Sequence, residues 1–148
     1  MGGNYLNSIL ATQDAKQRGF DEAILLDQSG NVSEAPGENI FLVKNNRLVT
    51  PSLSSSALDG ITRKSIITLA KDMKLKVKVR KVSKNELKLA HEVFLTGTAA
   101  EITPIIKVDK KKIGSGKVGN ITKLLMHTYS DIVMNKNENY SNWLTAVY

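Results

Sequence analysis

The apolar residues of this chain come in short runs closed by turn signals, and that spacing restricts the fold more than any other feature. Ala23-Ile24-Leu25-Leu26 is one such run, followed by the turn-like Gln28-Ser29-Gly30-Asn31. Ile40-Phe41-Leu42-Val43 is the next, and Asn45-Asn46 turns it into Arg47-Leu48-Val49-Thr50, a hairpin. Runs of this length suit strands, because a helix needs roughly ten or more residues of periodic pattern.

Helical spacing lies between the short runs. Asn4 is placed to cap a helix whose stripe is Leu6, Ile9, Leu10 and Ala11, and Gly19 closes it. A Ser-rich loop, residues 51–56, precedes a helix expected over residues 61–73, with Ile61, Ser65, Ile66, Leu69 and Met73 on one side. Residues 75–82 alternate charged and apolar, the pattern of a half-buried strand. Ser83-Lys84-Asn85-Glu86 is a capping-box pattern opening a short helix through Leu89. A strand over 92–95, a hairpin from 105–108 and 111–113, and an amphipathic helix over 121–134 complete the order. Residues 135–140 are polar and read as loose, with Trp143 and Leu144 docking back. Strands joined by hairpins outnumber strand–helix–strand units, which favours a mixed α+β fold over a doubly wound parallel sheet. The 148 residues make one domain, with no repeat and no dividing linker. A domain of this size hides roughly two-thirds of its unfolded surface.

Several function classes are excluded. With no cysteine, a disulfide framework, a thiolate nucleophile and a thiolate zinc site are all ruled out, and a cytoplasmic setting is expected. His91 and His127 are the only histidines, too few for a histidine-rich metal site, and both read as surface or packing residues. No apolar run approaches the ~20 residues of a membrane-crossing helix, and no basic segment followed by an apolar stretch marks a secretory leader. The net charge of +7 gathers in residues 71–81 and in Lys110-Lys111-Lys112. Aromatic residues make up 5% of the chain and none interrupts that basic run, so it lacks the stacking platform of a nucleic-acid binder. Gly114-Ser115-Gly116-Lys117 has the wrong spacing for a phosphate loop or a dinucleotide fingerprint and reads as a hairpin turn. Ser54-Ser55-Ser56 has no histidine in a suggestive context, so no nucleophile triad is present.

Three islands carry chemistry. Ala57-Leu58-Asp59-Gly60-Ile61-Thr62-Arg63 ends at a helix start, where first-turn N–H groups lack partners and the helix dipole is positive. It suits an anion, with Gly60 allowing close approach; its plain alternative is an ordinary helix start. In Thr96-Gly97-Thr98-Ala99-Ala100-Glu101-Ile102-Thr103-Pro104 small side chains bare the backbone at a strand end, and Thr98 adds a hydroxyl; the plain alternative is a tight turn. Ser33-Glu34-Ala35-Pro36-Gly37-Glu38-Asn39 offers the Glu34 carboxylate. It suits a pyridine nitrogen that must stay protonated, or it is a surface acid in a turn.

Together with Gly2-Gly3-Asn4-Tyr5, these islands resemble, in order and spacing, the class IV (fold-type IV) pyridoxal-phosphate aminotransferases from Gly2 to about Ile132. Gly37-Glu38-Asn39-Ile40-Phe41 and Gly97-Thr98-Ala99-Ala100-Glu101-Ile102 resemble the branched-chain amino-acid enzymes more than the D-amino-acid transaminases or aminodeoxychorismate lyases. The resemblance implies the family's large-domain fold, α+β with a mixed sheet or pseudo-barrel and surrounding helices. It implies pyridoxal 5'-phosphate as cofactor and reversible amino transfer between leucine, isoleucine or valine and 2-oxoglutarate. It implies that Tyr5 bonds the cofactor's phenolic oxygen, Glu34 partners its ring nitrogen, and the N–H groups of Ile61 and Thr62 hold its phosphate with Thr98. Thr98 and Ala99 receive the substrate carboxylate, while Glu38 and Asn39 are framework. Ala35-Pro36 departs from the family's usual Gly-led pair. The lysine that bonds the cofactor precedes Gly-Gly-Asn-Tyr in the family, and its place here falls immediately before Met1. The resemblance therefore implies a large domain lacking that lysine and the smaller N-terminal domain, inactive alone and prone to form homo-oligomers through its uncovered apolar face. A D-amino-acid transaminase is the alternative within the family, and a non-catalytic binding module is the alternative outside it. No metal, membrane or nucleic-acid partner is expected.

Overall fold

The computed structural model describes residues 5–146. Asn4, expected as a cap, and the Gly2-Gly3-Asn4 part of the N-terminal run lie outside the described residues. Among the described residues four α-helices, α1 (Leu6–Gln17), α2 (Ile61–Asp72), α3 (Lys84–Lys88) and α4 (Asn120–Val133), accompany two sheets. The larger sheet is built from β1 (Asn39–Lys44), β2 (Arg47–Thr50), β3 (Lys76–Val79), β4 (Glu92–Gly97) and β5 (Glu101–Ile105). Its order is β3-β2-β1-β4-β5, antiparallel except for the parallel β2–β3 edge. A separate hairpin joins β6 (Lys107–Val108) to β7 (Lys111–Lys112).

Side-chain alternation along β1 and β4 sorts the core into two layers. Ile40, Leu42, Val93 and Leu95 face one way, into a cluster with Val32, Ala35, Val82, Leu87 and Ile113. Phe41, Val43 and Phe94 face the other way, against Ile66, Leu69 and Ala70 of α2 and Leu125 and Ile132 of α4. Phe41 and Phe94 are register partners with rings stacked 5.2 Å apart, pinning the two central strands face to face. The mixed α+β architecture matches the expectation from hairpin-joined strands. Asn45 and Asn46 take positive φ (50° and 56°), as a two-residue hairpin turn with the right-handed strand twist requires.

The structure corrects several local expectations. Residues 23–26 form no regular strand; Leu26 bridges Val32, and Leu25 exchanges backbone hydrogen bonds with Ser33 and Glu34. The strand expected over 75–82 is regular only at Lys76–Val79, and Val79 is exposed. β5 is a strand the sequence pattern does not announce, since Pro104 interrupts it; the proline is tolerated because β5 is an edge strand that needs no further donor. The β6–β7 turn is made by Asp109 and Lys110, both at positive φ, so Gly114-Ser115-Gly116-Lys117 is not a hairpin turn but leads toward α4.

Helix α1 buries another face than its apolar residues indicate, whereas α2 buries Ile66 and Leu69 of its expected side, packs Met73 on the same core and turns Ile61 outward. On α1 only Ala15 is buried, and Leu6, Ile9 and Leu10 are exposed. On α2 the buried set is Thr62, Arg63, Ile66, Leu69 and Ala70, leaving Ile61 81% exposed. The capping box is half made. Ser83 Oγ accepts from the Glu86 N–H at 3.1 Å, but the Glu86 carboxylate pairs with Arg80 instead of reaching back. Residues 138–140 of the stretch expected to be loose lie in a 3-10 turn, Glu138–Trp143, and Trp143 packs on the core as expected. Tyr140 and Trp143 meet edge to face at 4.7 Å, and the Tyr140 hydroxyl donates to Asp72 at 2.9 Å.

Candidate functional site

Sheet register brings two of the islands side by side. Asn39 at the start of β1 lies opposite Thr96 near the end of β4, so the turn before β1 and the turn after β4 occupy one end of the sheet. The first of these is closed by paired backbone bonds between Ala35 and Glu38. It sits so close to β4 that a Cβ on Gly97 would stand 3.1 Å from the Gly37 carbonyl oxygen. A glycine at 97 therefore does what its sequence context implies, allowing two backbones to approach.

Side-chain hydrogen bonds bring in the third. The Leu58 N–H donates to Glu34 Oε2 at 2.7 Å. Asn39 Nδ2 donates to the same oxygen at 3.1 Å and to the Leu58 carbonyl at 2.8 Å. Gly60, the residue that caps α2, packs directly on this amide; an added Cβ would overlap Asn39 Oδ1. The loop entering α2 is held from its other side by Arg63, 4% exposed, whose Nη2 donates to the Pro51 carbonyl at 3.1 Å. Arg63 Nη1 lies 3.5 Å from Asp59, and burial pulls the guanidinium's pKa down against the pull of that carboxylate.

The electrostatics of the Glu34 carboxyl are set by its half-burial. Desolvation raises its pKa above the ordinary glutamate value, and the Leu58 N–H opposes the rise. Both donors fall on Oε2; Oε1 receives none among the described residues. Glu38, in the same turn, is also raised by desolvation, reinforced by the negative charge of Glu22.

The α2 N-terminus has no side-chain cap, so the Ile61 and Thr62 N–H groups are not occupied by a capping oxygen. Thr62 is 4% exposed, whereas the Ile61 side chain points to solvent. Thr98 and Ala99 are exposed in the three-residue turn between β4 and β5, and the Thr103 hydroxyl donates to the Ala100 carbonyl at 3.1 Å to brace it. Tyr5 precedes α1 with its side chain exposed. Among the described residues no hydrogen bond ties its hydroxyl to Glu34 or to α2. Glu34, Leu58 and Gly60 are thus linked through direct contacts, Thr98 and Ala99 follow Gly97 at the same sheet end, and Tyr5 stands apart from that network.

The sequence reading assigned Asn39 to the framework, and the structure shows the bonds by which it holds Glu34 and the Leu58 carbonyl; the part played by the Leu58 backbone it did not find. A polar residue opening an otherwise apolar strand was the available signal, since a buried amide must find partners. No group of three or more metal-ligating side chains occurs among the described residues, and none of their helices is long and apolar enough to cross a membrane.

Comparison with known proteins gives a consistent result. Residues 2–108 match the family model described as amino-transferase class IV. The chain is 48% identical over its whole length to a probable branched-chain-amino-acid aminotransferase of Aquifex aeolicus, of which it covers 48%. It is 45% identical over 98% of its length to a branched-chain-amino-acid aminotransferase of Pseudomonas aeruginosa, covering 47%. The chain thus spans about half the length of the curated relatives it matches. Among solved structures, a T.th. branched-chain amino acid aminotransferase complexed with N-(5'-phosphopyridoxyl)-L-glutamate superposes over the entire chain. The TM-score is 0.97 at 42% identity, and the match covers 50% of that chain. The Escherichia coli branched-chain amino acid aminotransferase matches 99% of this chain and 48% of its own, with a TM-score of 0.95 and 44% identity.

Proposed function

The chain belongs to the class IV aminotransferase family, and from that premise we propose that it is the cofactor-holding domain of a branched-chain amino-acid aminotransferase acting through pyridoxal 5'-phosphate. The reading is supported above all by Glu34. Its half-buried carboxylate has one oxygen held by two donors and the other without a donor among the described residues. It lies at the same end of the sheet as an uncapped helix terminus. That is the donor and acceptor set a phosphorylated pyridine requires.

The residues have distinct tasks. The open Glu34 oxygen accepts the ring N–H and keeps a proton on that nitrogen, because a carboxylate stabilises a positive partner where an amide would not. The Ile61 and Thr62 N–H groups, at the positive end of α2, bind the phosphate, and the Thr98 hydroxyl adds a further donor. Tyr5 donates to the phenolic oxygen. The Thr98-Ala99 turn receives the substrate carboxylate with its backbone donors. The cofactor, when bound, supplies the electron sink for chemistry at the substrate's α-carbon.

The substrate class rests on the relatives, which carry the branched-chain name at 48% and 45% identity. The same relatives, twice as long as the match, support reading residues 1–148 as one domain of a larger catalytic unit. The 148-residue chain alone is then expected to show no measurable amino transfer, and turnover from it would overturn that part of the reading.

Calorimetric titration with pyridoxal 5'-phosphate tests the site. Saturable binding is expected, weakened by Glu34→Ala through the ring and by Thr62→Pro through the phosphate. Proline is tolerated in a helix's first turn, so the second change removes one N–H and leaves the element standing. Binding indifferent to both changes would contradict the assignment.

A further inference from the structure

We propose that Asn39 is the positioning residue of this site, an amide that fixes which Glu34 oxygen is open and locks that carboxylate to the loop entering α2. The inference rests on the reading of Glu34 as the ring-nitrogen partner, but its geometry stands without any cofactor. Asn39 is 5% exposed at the first position of β1. Its Nδ2 faces two acceptors, Glu34 Oε2 at 3.1 Å and the Leu58 carbonyl at 2.8 Å. Because both partners accept, the amide has only one sensible orientation, with NH2 toward them and Oδ1 against Gly60.

Each N–H of the amide has one acceptor, so the donor capacity of the group is used up. The Leu58 residue closes the ring, its carbonyl accepting from Asn39 and its N–H donating to Glu34 at 2.7 Å. Strand β1, the Glu34 turn and the α2 entry loop are therefore joined through a single side chain. Rotating the Glu34 carboxylate to release Oε2 would break two hydrogen bonds at once.

The neutrality of the amide matters as much as its reach. A Lys or Arg donor would orient Glu34 equally well, but it would neutralise the charge that a protonated ring nitrogen needs. An aspartate would set a second carboxylate against Glu34 and the Leu58 carbonyl. Asparagine is the short side chain that supplies two donors and no charge.

The test reads the carboxyl and the amide by NMR in the full chain with no cofactor present, so its failure is separable from a failure to bind pyridoxal phosphate. In the unsubstituted chain the Asn39 side-chain NH2 resonances are expected to shift with the Glu34 carboxyl carbon, with the same midpoint, and Glu34→Gln should abolish that response. In Asn39→Leu, similar in shape but without donors, the Glu34 midpoint should rise by about one pH unit, since a donor to the ionised form is lost. Gly119→Ala, remote from the site, should lower thermal stability and leave the midpoint where it was. Asn39 resonances that ignore Glu34 ionisation would overturn the proposal even if Asn39→Leu does not fold. An unshifted Glu34 midpoint in a folded Asn39→Leu chain would overturn it as well.

Discussion

At Glu34 the requirements of folding and of the proposed chemistry oppose each other. Half-burial lifts its pKa, so the folded chain holds this proton more tightly than the unfolded chain. Stability from this group is thus present at acid pH and falls as pH rises from about 4.5, the ordinary glutamate value, through the raised one. Glu34→Gln keeps an acceptor for Leu58 and Asn39 and removes the ionisation. We predict that its melting temperature at pH 7 equals or exceeds that of the unsubstituted chain, with the gap closing toward pH 4, by calorimetric scans across pH. A gap that widens in acid would contradict this sign. Glu86 behaves oppositely. The hydrogen bond from Arg80 holds its pKa down, so its contribution is present above the ordinary glutamate value and lost as pH falls through the lowered one. Glu34 itself was legible in the sequence as a carboxylate beside a turn, but its two donors were not. They come from residues 5 and 24 positions away, and such contacts leave no local pattern.

Among the elements, α4 shows how a distant residue starts a helix. Its local cap is Gly119, which has no side chain to offer. The Glu92 carboxylate on β4 takes that role, accepting from the Ile121 N–H at 3.2 Å and from the Thr122 N–H and hydroxyl at 2.7 Å each. Gly119 is required for this approach, because an added Cβ would overlap the Glu92 carboxyl carbon. Glu92→Ala should cost about 1–2 kcal/mol, the worth of a charged cap at a helix start. Gly119→Ala should cost a similar amount by displacing the same carboxylate, and the double variant should cost less than the sum. Urea melts of the three chains measure this, and strict additivity would refute the shared mechanism. The amphipathic pattern of α4 was readable because its apolar face meets the sheet. The apolar residues of α1 misled, since Leu6, Ile9 and Leu10 lie on exposed faces and only Ala15 is buried. Periodicity shows where apolar residues fall on a helix and is silent about whether this chain covers them. β5 was hidden for another reason, a proline that only an edge position accommodates.

The whole molecule is an α+β sheet packed on both faces; the mixed α+β class followed from short apolar runs joined by hairpins, the covering of both faces did not. Large apolar side chains are exposed at several places on its surface. Leu6, Ile9 and Leu10 on α1 are exposed, as are Leu58 at 70% and Ile61 beside the α2 terminus. An apolar surface of this kind favours association, so sedimentation of the isolated chain should depend on concentration. Replacing Leu10 and Ile61 with lysine should reduce that dependence, whereas a strictly monomeric parent chain would count against it. The three islands meet at one end of the sheet, and the proposed cofactor binding there is tested by amide shift mapping during an NMR titration with pyridoxamine 5'-phosphate, whose amine does not condense with surface lysines. Saturable shifts centred on Leu58, Ile61, Thr62 and Thr98 are expected, with the Glu34 carboxyl responding in step. Shifts confined to the lysine-rich segments at 71–81 and 107–112, with those amides unmoved, would contradict cofactor binding at this end of the sheet.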